Sequence, residues 1–166
     1  MLPEIRTISS EKELKSFLSV IINSFSTVAE ELKLTKETAP TNPAFITDER
    51  LLEIFNKIKC FGLYYENLPI GFFGLEESED SMLMLEKLSV LPEYRHKGFG
   101  KMILDYTVKF ASEMGFKKIS IAIINENYIL KKWYRDYGFA ETRINIFPHL
   151  PFEVCFMELT INPVIN

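Results

Sequence analysis

The chain has 166 residues, of which 47% are hydrophobic and 25% charged, and its formal net charge is −4. This length and composition are typical of one globular domain and exclude intrinsic disorder. An acidic balance has the wrong sign for a protein that binds nucleic acid or anionic membranes over a wide surface. We therefore expect one domain over residues 1–166, without a nucleic-acid partner.

The two cysteines, Cys60 and Cys155, lie far apart in the sequence. Their spacing indicates neither a disulfide framework nor a thiolate metal site. The first residues lack a basic stretch followed by an apolar run, and no apolar segment approaches the roughly 18 residues that cross a bilayer. We expect a cytoplasmic protein with no metal and no membrane partner.

The first quarter of the chain begins with a short alternating strand over 5–8. Ser10 and Glu13 then have capping-box spacing before a helical pattern that ends at about Ala29. A loop with two prolines follows, and Thr47 or Asp48 caps a second helix.

The rest of the chain alternates between strand and helix patterns, with Gly115 and Gly138 after two of the helices. The predicted strands lie at 61–65, 70–75, 82–90, 119–124, 139–146 and 152–160, and the predicted helices at 98–114 and 127–137. The run at 119–124 is continuously apolar, as in buried parallel strands. This order predicts an α/β (α+β) fold: a mixed, mostly antiparallel sheet of about seven strands flanked by about four helices.

A glycine-containing turn, Gly98-Phe99-Gly100, joins the end of a predicted strand to the start of a helix. Amides at a helix N-terminus are unpaired and lie at the positive end of its dipole, and glycine lets a phosphate approach the backbone closely. Basic side chains surround the turn in an otherwise acidic chain: Arg95, His96, Lys97 and Lys101. A capped helix start with solvated lysines explains this pattern equally well.

Other phosphate-binding motifs fail on spacing. A Walker A loop needs glycine and serine or threonine where this chain has Arg95 and Met102, and the dinucleotide fingerprint needs glycine where it has Ile103. No Gly-x-Ser-x-Gly or His-Glu-x-x-His occurs.

Two motifs in order resemble the GNAT superfamily of acyl-CoA-dependent N-acyltransferases. The first, Leu88-Ser89-Val90-x-Pro92-x-x-Arg95-x-x-Gly98-x-Gly100, looks like the family's pyrophosphate loop with its preceding strand. The second, Asn127 followed by Trp133-Tyr134 and Gly138-Phe139, resembles the family's downstream motif. The resemblance is close over about 82–139 and only architectural for the N-terminal helices.

The resemblance implies a single GNAT-like domain whose central strands splay apart in a V around acetyl-CoA. The pantetheine arm would pair with the backbone of Leu88, Ser89 and Val90 as an added strand. Arg95 would support the turn, and the Asn127 side chain would hydrogen-bond the pantetheine arm or simply cap the following helix. The pyrophosphate would sit on the amides of His96, Lys97, Gly98, Phe99, Gly100 and Lys101.

The resemblance also implies catalytic roles. Tyr134 matches the tyrosine that protonates the departing thiolate, with core packing as its alternative role. We choose Glu86 as the base that takes the amine's proton, although a solvated strand carboxylate explains it nearly as well; Glu76 and Glu77 are the next candidates. A backbone N–H in 88–90 would meet the developing oxyanion.

We expect an N-acetyltransferase that acts on a primary amine of a small molecule or peptide by direct transfer, because neither cysteine lies in the recognised site. The acidic run at 76–80 suggests a cationic acceptor or simply a solubilising turn. Two alternatives remain: a non-catalytic acyl-CoA-binding or sensing module, and a nucleotide-binding regulatory domain. A homodimer is left open.

Overall fold

The computed structural model describes residues 2–162. Its strands are β1 (Glu4–Thr7), β2 (Lys59–Tyr65), β3 (Leu68–Ser78), β4 (Met82–Val90), β5 (Lys118–Ile124), β6 (Ala140–Ile146) and β7 (Glu153–Thr160). Its α-helices are α1 (Glu11–Lys15), α2 (Leu18–Glu31), α3 (Asp48–Phe55), α4 (Phe99–Met114) and α5 (Tyr128–Tyr137). Short 3₁₀ turns lie at Pro43–Phe45 and Pro92–Tyr94.

The strands form an open seven-stranded sheet in the order β1-β2-β3-β4-β5-β7-β6. The β1–β2, β2–β3, β5–β7 and β6–β7 pairs are antiparallel, whereas Met82–Met84 of β4 pair in parallel with Lys118–Ser120 of β5. A parallel neighbour requires a crossover, which α4 supplies. The predicted mixed sheet with flanking helices is confirmed, and the splay of its central strands stays a prediction.

The first predicted helix is broken in two. The amide and the hydroxyl of Ser16 both donate to the Glu13 carbonyl, at 3.1 and 2.6 Å, which tightens the chain into a 3₁₀ turn. The helix resumes after Phe17, whose ring is fully buried. Apolar spacing continues across this break, so periodicity over 10–29 predicted one helix.

Contacts divide the described chain into two compact units. The first comprises residues 2–76 and 86–106, and its core packs Phe17 and Ile21 of the helical layer with Phe72 of β3. The second comprises residues 77–85 and 107–162 and buries Cys155 and Met157 of β7 completely. The expectation of a single domain over 1–166 stays a prediction.

We predict that Gly62→Ala destabilises the first unit. A Cβ at Gly62 would lie 2.2 Å from Cζ of Phe17, a rigid ring that cannot move aside without disturbing the core. Overpacking of this kind lowers the free energy of unfolding by about 1–3 kcal/mol, which urea denaturation measures. Because Phe17→Leu removes the clashing atom, the double variant should lose less than the sum of the two single losses; strict additivity would contradict the clash.

Candidate functional site

The turn between β4 and α4 has a backbone suited to anions. His96 and Gly98 have φ values of +59° and +86°. A Cβ at Gly98 would meet no atom within 4 Å, so a side chain would not clash there. Glycine is favoured because its backbone tolerates the positive φ. Within residues 2–162, the amides from His96 to Lys101 donate to no acceptor, and the first paired amide is that of Met102, on the Gly98 carbonyl. The start of α4 thus offers a run of free N–H groups at its positive end.

Arg95 ties this turn to α2. Its Nε donates to the Val90 carbonyl at 3.2 Å, and its two terminal nitrogens donate to Thr27 Oγ1 at 3.0 Å and to the Ser24 carbonyl at 2.6 Å. Desolvation by burial lowers the pKa of the guanidinium. The side chain therefore holds the turn in place from within the first unit, as a supporting role requires.

Three aromatic rings pack at the base of the turn. The Phe99 ring lies 5.5 Å from Tyr65 and 6.1 Å from Tyr94, which are 6.4 Å from each other between centroids. Lys97 Nζ lies 5.4 Å from the centre of the Tyr94 ring. This cluster makes Phe99 an anchor of the turn, and such tilted ring pairs add to the stability from area burial.

Strand β4 is irregular just before the turn. Lys87 has a φ of +52°, which interrupts the alternation of buried and half-buried side chains. The Ser89 hydroxyl donates to the Lys87 carbonyl at 2.7 Å, and the Val90 carbonyl is engaged by Arg95. A left-handed residue within a strand redirects the backbone that follows, as in a β-bulge. Leu88 and Ser89 are the residues redirected here.

Two carboxyl groups meet on the first unit. Lys87 Nζ lies 3.3 Å from Oε2 of Glu86, and the carboxyl of Glu76 on β3 hydrogen-bonds that of Glu86. This hydrogen bond and partial burial raise the pKa of Glu76. Sequence reasoning placed Glu86 first as candidate base and Glu76 and Glu77 next, and the pairing of β3 with β4 brings the Glu86 and Glu76 carboxyls together.

In the second unit, Asn127 caps α5. Its Oδ1 accepts a hydrogen bond from the Leu130 amide at 3.2 Å, which is the capping role that the sequence left open. No hydrogen bond from its Nδ2 to any described residue is formed, so the amide nitrogen is free to donate.

Tyr134, also in the second unit, is buried almost completely. Its ring stands edge-on to Trp133 at 4.9 Å and to Phe139 at 5.3 Å, and the residue is 4% exposed. Burial raises the pKa of its hydroxyl. Among residues 2–162 that hydroxyl has no hydrogen-bond partner, yet no fully buried side-chain nitrogen or oxygen lacks one. The hydroxyl oxygen therefore keeps contact with solvent.

A polar network that sequence reasoning missed holds α5 in place. Lys131 is 7% exposed, and its Nζ bonds Asn125 Oδ1 and lies 2.9 Å from Oε1 of Glu141 on β6. Asn125 donates in turn to Glu153 on β7 at 3.0 Å. Lys131 begins the helical turn that ends at Tyr134, so the network fixes the helix that carries the tyrosine. Because the partners belong to separate strands, no local sequence pattern indicates it.

The described part of the chain contains no cluster of three His, Cys, Asp or Glu side chains that could hold a metal ion. None of its helices combines the length and the hydrophobicity needed to cross a membrane.

Comparison with known proteins places this arrangement in a family. The model of the "Acetyltransferase (GNAT) family" matches residues 26–139, and the chain belongs to that family. The resemblance read from the two motifs is confirmed. Among its relatives, "Probable N-acetyltransferase camello" from Xenopus tropicalis is 28% identical over 83 residues, which are 49% of this chain and 38% of that protein. The chain thus matches well under two thirds of that relative's length.

Solved structures share the fold over 96–99% of the chain. A PaiA N-acetyltransferase from Thermoplasma acidophilum, in complex with coenzyme A, has a TM-score of 0.79 at 21% identity and covers 96% of this chain and 99% of its own. The ribosomal-protein-S18-alanine N-acetyltransferase from Escherichia coli has a TM-score of 0.74 at 13% identity, covering 99% and 97%. At such identities the likeness establishes the fold.

We predict that Arg95→Met lowers the free energy of unfolding by about 3 kcal/mol, because charge-assisted hydrogen bonds to three groups are lost and two carbonyls lose a partner. Thermal or urea unfolding measures the loss. Thr27→Val removes only one of these bonds and should cost about 1 kcal/mol. Equal stability of Arg95→Met and the unaltered chain would show that the tether contributes nothing.

Proposed function

We propose that this chain transfers an acetyl group from acetyl-CoA to a primary amine of a small molecule or peptide, by direct attack of the amine on the thioester. The observation that carries the proposal is the run of free amides from His96 to Lys101 after an irregular β4. Membership of the GNAT family supports it, and so does the coenzyme A bound to the similar PaiA enzyme. Acetyl-CoA supplies an activated acyl carbon. Residues of this chain would bind the co-substrate, take the proton of the amine and protonate the departing thiolate.

Binding of the co-substrate uses backbone groups. The free amides of the turn would hold the pyrophosphate, helped by the dipole of α4, while Arg95 keeps the turn in place behind them. The backbone of Leu88 and Ser89 would pair with the pantetheine arm as an added strand. The Val90 carbonyl already accepts a hydrogen bond from Arg95, so only its second lone pair is available for that pairing. Asn127 keeps its Nδ2 for the arm while Oδ1 caps α5.

Activation of the amine falls to the Glu76–Glu86 pair. An amine attacks only when neutral, so a carboxylate must take its proton. We propose that Glu86 accepts this proton and that Glu76, whose raised pKa keeps a proton available to higher pH, hydrogen-bonds it. The nearby Lys87 ammonium stabilises the negative charge of Glu86.

Departure of the thiolate requires a proton donor, which we propose is Tyr134. Burial raises the pKa of its hydroxyl, so the phenol stays protonated at neutral pH and can give its proton as negative charge develops on the sulfur. The developing charge on the carbonyl oxygen would be met by a backbone N–H in 88–90.

The cysteines support direct transfer over an acyl-cysteine route. Burial raises the pKa of Cys60 to about 11, and burial with a hydrogen bond to Glu141 raises that of Cys155. Both are therefore thiols at neutral pH, and the thiolate is the nucleophilic form. Both are unpaired, which is compatible with the reducing cytoplasm that we expect for this protein.

Turnover distinguishes this function from that of a non-catalytic acyl-CoA sensor. Acetyl-CoA should lose its thioester in the presence of one or more members of a panel of polyamines, amino acids and peptide N-termini. Tight coenzyme A binding with no turnover across the panel would favour the sensor, and a preference for ATP or NAD over coenzyme A would favour a nucleotide-binding domain.

We predict that Gly100→Val weakens coenzyme A binding at least tenfold, because a branched side chain at the start of α4 blocks the approach of the pyrophosphate to the amides. Each charge-assisted bond denied to a phosphate costs about 1.5–3 kcal/mol. Calorimetric titration measures the loss. Lys109→Val puts the same residue at an exposed position of the same helix and should bind normally. Unchanged affinity in a folded Gly100→Val variant would remove the anchor of the proposal.

Tyr134→Phe should lower kcat by about 10²–10⁴-fold while leaving the affinity for acetyl-CoA nearly unchanged. The phenyl ring preserves the contacts with Trp133 and Phe139, whereas the proton donor is lost. Steady-state kinetics with a competent acceptor, together with titration of coenzyme A, separate the two effects. Full kcat in this variant would assign Tyr134 to packing alone.

Glu86→Gln should abolish the acidic limb of the profile of kcat/KM against pH, because the amide keeps the volume of the side chain but accepts no proton. Glu76→Gln should instead keep the limb, because the glutamine amide can still donate a hydrogen bond to the Glu86 carboxylate, which remains as the base. Glu77→Gln serves as control and should leave the limb in place. If the limb is the same in all three variants, the base is another group.

A further inference from the structure

Two oppositely charged residues that follow each other in β4 meet on one face of the sheet. In a regular strand, neighbouring side chains point to opposite faces. Lys87 departs from this alternation because its φ of +52° is left-handed, and its Nζ lies 3.3 Å from Oε2 of Glu86. The irregular strand thus brings an ammonium and a carboxylate together where a regular strand would separate them.

The two preceding strands contribute to the same face. Gly74 of β3 pairs with Cys60 of β2, which belongs to the core under the N-terminal helices. A Cβ at Gly74 would lie 2.5 Å from Cδ1 of Ile58 and 3.8 Å from the Glu86 carbonyl oxygen. Glu76 comes two residues after Gly74, so its side chain lies on that face too, where its carboxyl hydrogen-bonds Glu86. The charged groups therefore have the apolar Ile58 side chain as a neighbour.

The Glu86–Lys87 ion pair is largely covered and still open to a small solute. The two side chains are 27% and 20% exposed. Water screens an ion pair at the open surface, whereas a covered pair keeps a stronger field. Within residues 2–162 the Lys87 ammonium hydrogen-bonds only Glu86, so two of its three N–H groups remain for another acceptor.

The charges around this pair do not favour a polycation. Lys57 and Lys87 both act electrostatically on the Glu76 carboxyl, so two carboxyl groups are accompanied by two ammonium groups. The acidic run at 76–80 by itself suggests a cationic acceptor, but the two lysines offset the charge at its first residue. Further ammonium groups of a polyamine would be repelled by them.

We propose that the amine acceptor is an α-amino acid with a free carboxylate, whose amine is bound by Glu86 and whose carboxylate is bound by Lys87. The proposal rests on the proposed acetyltransferase function, in which Glu86 is the base. An α-amino acid carries both groups on one carbon, at a separation comparable with the 3.3 Å between Lys87 Nζ and Glu86 Oε2. Placed head to tail, each charge of the acceptor lies next to one of opposite sign.

Each side chain then has one task in the transfer. Lys87 holds the acceptor's carboxylate, while Glu86 takes a proton from the amine. The neutral amine nitrogen forms a C–N bond with the acetyl carbon, the C–S bond breaks, and the sulfur takes the proton that Tyr134 donates. The products are an N-acetyl amino acid and coenzyme A. Lys87 is thus a specificity-determining residue that touches the acceptor away from the reacting nitrogen.

Matched acceptors test the proposal on the unaltered full chain. Leucine, methionine and phenylalanine, chosen because Ile58 is apolar, are each compared with their amide and their decarboxylated amine. For at least one of them kcat/KM should exceed that of both analogues tenfold or more, although the amide has the less basic amine and would be favoured by reactivity alone.

The other outcomes of this comparison separate the acceptor from the activity. Turnover of the analogues, or of spermidine, that equals or exceeds turnover of all three amino acids would overturn the acceptor class and leave the acetyltransferase function standing. Absence of turnover with every amine, despite coenzyme A binding, would overturn both.

A lysine variant tests the carboxylate contact. In Lys87→Met the ratio of kcat/KM between amino acid and amide should fall at least tenfold, whereas Lys87→Arg keeps the charge and should retain most of the ratio. Both acceptors use the same base, so any effect of Lys87 on Glu86 cancels in the ratio. Lys109→Met makes the same change at an exposed lysine of α4 and should leave the ratio as it is. An unchanged ratio in Lys87→Met would overturn the assignment of Lys87.

Discussion

The tether between Arg95 and α2 is the interaction on which the proposed co-substrate site depends. A turn whose amides are free for a phosphate cannot stabilise itself with those same amides, so it must be held by something else. In this chain the holding group is a guanidinium, which forms a planar fork that reaches the Val90 carbonyl and two groups of α2 at once. The Tyr65, Tyr94 and Phe99 rings add a second, apolar attachment. The amides stay free because side-chain contacts, and not the amides themselves, hold the turn in place.

In the second unit, too, the groups that hold the site residues in place differ from the group that we propose for the chemistry. The Tyr134 ring is fixed by its aromatic neighbours, and α5 is fixed to β6 and β7 by Lys131, Glu141 and Asn125. A buried lysine is stable only when its charge is paired, so this network orients the helix specifically. The Tyr134 hydroxyl makes no hydrogen bond within residues 2–162, which leaves it available for the proton donation that we propose.

The Glu76–Glu86 pair illustrates how strand pairing creates chemistry. Neither glutamate is unusual by itself, and the strands on which they lie are predominantly apolar. When β3 and β4 bring the carboxyls together, the hydrogen bond to Glu86 and partial burial raise the pKa of Glu76. We therefore propose that Glu86 acts as the base together with Glu76.

The sequence alone was sufficient for most of the strands and helices, for the turn at Gly98 and for the family, because periodicity, helix caps and motif spacing are local properties of the chain. It also indicated Glu86, Tyr134 and Asn127 as site candidates. It could not show the break at Ser16 and Phe17, because the apolar spacing continues across it. Nor could it show that Arg95 bonds Thr27 or that Lys131 pairs with Glu141. Those contacts join residues far apart in the chain, and only the tertiary structure decides which distant groups share a face, a hydrogen bond or a proton.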